Sequence, residues 1–127
     1  MKKIIASFLI SVLAFAACNI IGNEVTGVEI RVKNASSYTI ENLRIATGGG
    51  DFSFETLEPG KVSDYKLYDY SYSYFYTSFS IDTSEFVQQP IDYVGESKIK
   101  NGKYTYSISI QNYEDRPDSF IGDLIKD

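Results

Sequence analysis

From residue 70 the chain reads Tyr-Ser-Tyr-Ser-Tyr-Phe-Tyr-Thr-Ser-Phe-Ser-Ile-Asp. Tyr70, Tyr72, Tyr74 and Tyr76 recur at every second position, and Phe75, Phe79 and Ile81 fall in the opposite register. Period two puts alternate residues on opposite faces of an extended chain, so the spacing predicts a strand over residues 70–82 with tyrosines on one face and phenylalanines on the other. A strand that is aromatic on both faces needs cover on both. The expectation is a central strand in a two-layer β domain.

The flanking sequence carries the same period. Val28, Ile30 and Val32 alternate with Glu29, Arg31 and Lys33, and Tyr104, Tyr106, Ile108 and Ile110 alternate with Thr105, Ser107 and Ser109. Both are patterns of half-buried strands, predicted over 25–34 and 103–111. Over 38–47 the apolar register slips at Glu41-Asn42, which predicts a β-bulge. Gly48-Gly49-Gly50 reads as a loop, with no Lys-Ser/Thr behind it to make a phosphate cradle. Pro59-Gly60 suits the two central positions of a type II turn. Short strands are expected from Phe52 and Phe54 up to the Leu57-Glu58-Pro59-Gly60 turn, at 62–68 (Tyr65 and Leu67 facing together), at 85–89 after a Thr83-Ser84 turn, and at 119–125 at a sheet edge. Asn101-Gly102 is a two-residue turn signal opening the 103–111 strand. About seven or eight short strands without a helical period predict an all-β, antiparallel two-layer β-sandwich of immunoglobulin-like or transthyretin-like size.

The N-terminus has a different grammar. Met1-Lys2-Lys3 forms a positive n-region, residues 4–15 an apolar stretch, and Ala16-Ala17 a small-residue cleavage site. The apolar stretch is shorter than the ~20 residues of a spanning helix. Residues 1–17 are expected to be a signal peptide. The next residue, Cys18, is the single cysteine of the chain. Phe15-Ala16-Ala17-Cys18 resembles the lipobox of bacterial lipoproteins, which implies a diacylglyceryl group on the Cys18 thiol and an acylated N-terminus after cleavage. Phe15 stands where that motif usually has Leu, Val or Ile. Several acyl chains at about 0.8 kcal/mol per buried CH₂ hold a protein on a membrane where one would not. Residues 18–24 then form the lipidated N-terminus and tether, in which 19–24 span at most about 20 Å, and 25–127 form one domain. Asn19 after the cysteine, in place of Asp, resembles outer-membrane sorting in some bacteria.

Composition narrows the function. No second cysteine exists to make a disulfide, so a domain of about 110 residues must be held by its core, which at that size buries roughly two thirds of the unfolded surface. The formal charge of −5 becomes two units more negative once Lys2 and Lys3 leave. An acidic domain gains nothing from phosphate backbones, so nucleic acid is excluded as a partner and the membrane is held by lipid rather than by charge. The chain has no histidine, which removes Ser-His-Asp and Cys-His catalysis, His-ligated zinc and the usual proton shuttle near neutrality. No cofactor is implied.

Two further stretches carry a resemblance. Leu57-Glu58-Pro59-Gly60-Lys61-Val62-Ser63-Asp64-Tyr65, and Pro90-Ile91-Asp92-Tyr93-Val94-Gly95-Glu96 followed by Gly102-Lys103-Tyr104-Thr105-Tyr106, are similar to small lipoproteins of Bacteroidetes-type bacteria. The resemblance covers most of residues 28–110. It implies a one-domain β-sandwich lipoprotein of the cell envelope and carries over no catalytic or binding residue.

Three site readings follow from the residues. Tyr70, Tyr72, Tyr74 and Tyr76 are the candidate binding face, a flat platform for a sugar ring or an envelope protein; against this stands cross-strand packing on Tyr104 and Tyr106. Glu114, Asp115 and Asp118 lie close in an acidic loop, but their spacing matches no calcium-loop pattern. Paired carboxylates could in principle serve a small hydrolase. The expectation is a lipid-anchored envelope protein that binds or assembles and is not an enzyme. Its alternatives are a carbohydrate-binding accessory and a carboxylate-based hydrolase.

Overall fold

Alternation does in β1 (Val28–Asn34) what its spacing predicts: Val28, Ile30, Val32 and Asn34 are buried, and Glu29, Arg31 and Lys33 point outward. The computed structural model describes residues 26–90, 97–110 and 119–127. The leader, Cys18, the tether and the Glu114, Asp115 and Asp118 loop lie outside the described residues.

In chain order the other strands are β2 (Glu41–Ala46), β3 (Asp51–Ser53), β4 (Lys66–Tyr68), β5 (Tyr76–Ile81), β6 (Ser84–Gln88), β7 (Gly102–Ser109) and β8 (Ile121–Lys126). They form two four-stranded sheets, β4-β1-β7-β8 and β3-β2-β5-β6, packed face to face as a β-sandwich. The inner faces supply the core: Val28, Ile30, Val32, Tyr104, Tyr106 and Ile108 from one sheet, Leu43, Ile45, Phe79, Ile81 and Phe86 from the other. Across the interior Phe75 packs on Tyr106 with ring centroids 4.8 Å apart, and the Tyr68 hydroxyl donates to the Ile45 carbonyl at 3.1 Å. Phe79 stacks on Phe86 at 4.9 Å, and Phe120 meets its edge.

Local signals hold where the physics is local. The register of β2 against β5 shifts between Glu41 and Arg44, and Asn42 adopts a φ of 53°, so the bulge lies where the pattern slips. Gly60 has a φ of 80° and Lys61 N donates to Glu58 O at 3.0 Å, the geometry of the expected type II turn. The β5–β6 hairpin turns through Asp82-Thr83, one residue before the expected pair, with Asp82 at a φ of 52°.

Three expectations need correction. The first is strand sense: β1 and β7 run parallel, from Val28 opposite Gly102 to Asn34 opposite Ile108. The chain between them builds the other sheet and returns to the same end, the long crossover that a parallel pair requires. Asn101-Gly102 accordingly opens β7 without making a hairpin; Gly102 N donates to Gly27 O at 3.0 Å.

The second concerns the tyrosines. Only Tyr76–Ile81 of the aromatic stretch is strand. Residues 69–75 instead cross from the β4 edge of one sheet to β5 of the other, a gap of about 10 Å. Their backbone groups go to neighbouring loops: Asp69 N donates to Gly49 O at 3.0 Å, Tyr70 O accepts from Thr47 Oγ1 at 2.9 Å, and Ser71 O accepts from Ile99 N at 2.9 Å. The third is the 62–68 strand, of which only 66–68 joins a ladder. Val62 makes an isolated bridge to Lys33.

Candidate functional site: the tyrosine end

The register fixes which loops share an end of the sandwich. Val28 pairs with Tyr68 and Gly102, while Ala46 pairs with Asp51 and Tyr76. One end therefore collects Thr26-Gly27, the 47–50 glycine loop, the 69–75 crossing and residues 97–101. The other collects the β1–β2 loop, the 54–62 crossing and the β5–β6 turn.

Tyr70, Tyr72 and Tyr74 sit on the first of these ends, and Tyr76 lies on the outer face of the β5 sheet; all four are half-buried. Tyr70 is seated on the glycine loop. A Cβ on Gly49 would come within 2.3 Å of Tyr70 O, so only glycine lets the two backbones approach this closely. Tyr70 and Tyr72 meet edge to face, with centroids 6.0 Å apart and planes at 84°. The Lys98 ammonium stands 4.0 Å from the Tyr70 ring centre, and the Arg44 guanidinium 5.3 Å from that of Tyr76. The four rings do not form a coplanar row on one sheet face. Three line an end and one lines a wall, because the chain changes sheets between them. Tyr104 and Tyr106 are buried, and it is Phe75, from the opposite register, that packs on Tyr106.

Two polar clusters lie beside these rings, on the outer faces of the two sheets. On the outer face of the β5 sheet Arg44 and Asp51 form a two-pronged ion pair at 2.9 and 2.6 Å, and this bonding holds the Asp51 carboxyl below its usual range. On the outer face of the β1 sheet Arg31 Nε donates to Thr105 Oγ1 at 3.0 Å, and Thr105 Oγ1 donates to Asp127 Oδ1 at 2.7 Å. The Tyr65 hydroxyl donates to Asp127 Oδ2, and Arg31 lies 4.9 Å from the Tyr65 ring centre. The Tyr65 bond, then that of Thr105, lowers the Asp127 pKa, and the same contact raises that of Tyr65. Sequence reading placed Arg31 and Thr105 on outward positions and missed the cluster, because that cluster depends on the parallel β1–β7 pairing.

A shallow groove beside the bulge is lined by Asn42, Ser78, Ser80 and Glu85, with Asn42 Nδ2 donating to Ser80 Oγ at 3.0 Å. No protein family, curated protein or solved structure matches the chain. The reading of function therefore rests on the residues themselves. Among the described residues no three His, Cys, Asp or Glu side chains gather as a metal would require. Asp51 and Asp127 are each committed to a cation or hydroxyl partner, which keeps them ionised and suits them poorly to giving up a proton near neutral pH.

Proposed function

We propose that this chain is a lipid-anchored protein of the cell envelope, sorted to an outer membrane, whose β-sandwich works by binding or assembly and not by catalysis. The observation that carries the reading is Cys18, the single cysteine of the chain, standing directly behind an apolar stretch that ends in Phe15-Ala16-Ala17. A thiol with no second cysteine to pair with, placed directly behind the small residues of an expected signal cleavage site, has acylation as its plainest use. The domain that follows supports this. Among the described residues, the core that closes the sandwich is built of buried aliphatic and aromatic side chains. In this reading the anchor fixes the domain at the membrane surface, and a loop end or sheet face meets an envelope protein or glycan.

Metabolic labelling with a clickable palmitate analogue tests it. Wild type should be labelled and partition into the detergent phase, and Cys18→Ser should be unlabelled and aqueous. An unlabelled wild-type protein that washes free of membranes overturns the anchor.

A further inference from the structure

We infer that the tyrosine end is the face that rests on the bilayer, with Tyr70, Tyr72 and Tyr74 at the level of the lipid headgroups. This deepens the anchored reading and rests on it. The first support is where the tether joins. Thr26 and Gly27 lie at the tyrosine end, since Gly27 O accepts from Gly102 N and Gly27 packs against Tyr68. Residues 19–24 reach at most about 20 Å, so a Cys18 anchor holds this end next to the membrane. The opposite end lies farther away by the seven-residue length of β1, about 23 Å.

The second support is the chemistry of the surface so presented. Tyrosine has an apolar ring and a polar tip and is enriched where hydrocarbon meets water. Three half-buried tyrosines on one irregular crossing, carried by a segment that belongs to neither sheet, fit that boundary. The third is charge. Among the described residues Lys98, Lys100 and Lys126 are exposed at the tyrosine end, and Asp51 and Asp127 there are held against arginines, leaving Asp69 and Glu29. Glu41, Glu58, Asp82 and Glu85 are exposed at the opposite end, where Lys33 and Lys61 offset only part of their charge. The domain is acidic as a whole, yet among the described residues the tyrosine end turns more ammonium groups than unpaired carboxylates toward the headgroup phosphates.

The chain has no tryptophan, so one introduced indole is a clean depth reporter. Ser73, among the tyrosines, and Ser37, at the opposite end, are both exposed, and either substitution leaves the core untouched. Full-length Ser73→Trp and Ser37→Trp would be expressed, the mature acylated products purified, and both reconstituted into phosphatidylethanolamine/phosphatidylglycerol vesicles carrying acyl chains brominated near the headgroup. The Ser73→Trp indole should be blue-shifted and quenched by the bromines, and the Ser37→Trp indole should be neither. Vesicle-bound, palmitate-labelled protein in which the Ser73→Trp emission is unchanged, or in which Ser37→Trp is quenched equally or more, overturns the orientation and leaves the anchor standing. A product without acyl label, free of the vesicles, overturns both.

Discussion

The Asn34 amide donates from Nδ2 to the Leu57 carbonyl at 2.9 Å, tying the end of β1 to the segment that crosses from one sheet to the other. The same nitrogen donates to Tyr38 O at 2.7 Å, and Oδ1 accepts from Ser36 N at 3.0 Å and Ser36 Oγ at 2.6 Å. Asn34 is fully buried, and its backbone N–H and C=O bond Lys61 and Gly60. One residue therefore ties the β1–β2 loop to the 54–62 crossing at the end opposite the tyrosines.

Asn34→Ala should lower unfolding stability by about 2–3 kcal/mol, combining lost hydrogen bonds with an unfilled space. Asn34→Asp should lower it further at neutral pH, because a carboxylate would face the carbonyls of Tyr38 and Leu57. Burial raises such a carboxyl's folded pKa above the unfolded value, so the added loss should shrink as pH falls from neutrality toward about 4 and change no further below it. Denaturant unfolding of both variants across pH checks this; an Asn34→Asp protein as stable as wild type at neutrality would contradict it.

Gly49 and Gly60 should respond to alanine for different reasons and by different amounts. A Cβ at Gly49 would sit 2.3 Å and 2.5 Å from the Tyr70 backbone O and N, and neither loop can yield cheaply. At Gly60 nothing lies within 4 Å, and only the φ of 80° is at stake. Gly60→Ala should lower stability by about 1 kcal/mol. Gly49→Ala should lower it by roughly 2–3 kcal/mol and displace the tyrosine crossing. Thermal melts rank the two, and near-ultraviolet circular dichroism of the tyrosines should change only for Gly49→Ala.

Thr77 is fully buried in β5, and its Oγ1 makes no well-formed hydrogen bond. It nonetheless lies close enough to the Tyr106 phenol to oppose the upward shift that burial gives that group. Replacing an unsatisfied buried hydroxyl by a methyl of equal shape removes a desolvation penalty of about 1 kcal/mol or more. Thr77→Val should therefore be neutral or stabilising in chemical denaturation. A clear loss of stability would show that the hydroxyl is satisfied by Tyr106 after all.

Stability should fall at high pH before the backbone does anything unusual. Burial, and then the charge of Asp51, raises the Tyr68 pKa, and burial raises that of Tyr106. A tyrosine whose folded value exceeds the unfolded value of about 10 contributes stability that is complete below pH 10 and is lost as pH climbs beyond it. Spectrophotometric titration should show Tyr68 and Tyr106 ionising only on unfolding. Asp51 and Asp127 work in the other direction: their lowered values contribute stability that is present above about pH 4 and lost in acid. Both are exposed and screened by salt, so the acid loss should be the smaller one.

Much of this fold was legible before any coordinates. The alternation of Val28, Ile30 and Val32, the slip at Glu41-Asn42, the Pro59-Gly60 turn and the Tyr104–Ile108 pattern each describe a few consecutive residues, and each is answered by one side chain's burial or one backbone dihedral. Periodicity also determined that the domain is a two-layer β fold.

What only the tertiary structure decided is which strand lies beside which, and hence where the tyrosines go. Parallel pairing of β1 with β7 brings Arg31 to Thr105 across 74 residues of sequence. Period two in 70–76 says that the side chains alternate, but not whether a neighbouring strand is present to accept the backbone hydrogen bonds. At Asp69, Tyr70 and Ser71 those bonds go to the loops at Gly49, Thr47 and Ile99, so the stretch crosses between sheets and turns its tyrosines toward one end. Side-chain period is a property of the segment; hydrogen-bond partners are a property of the whole fold.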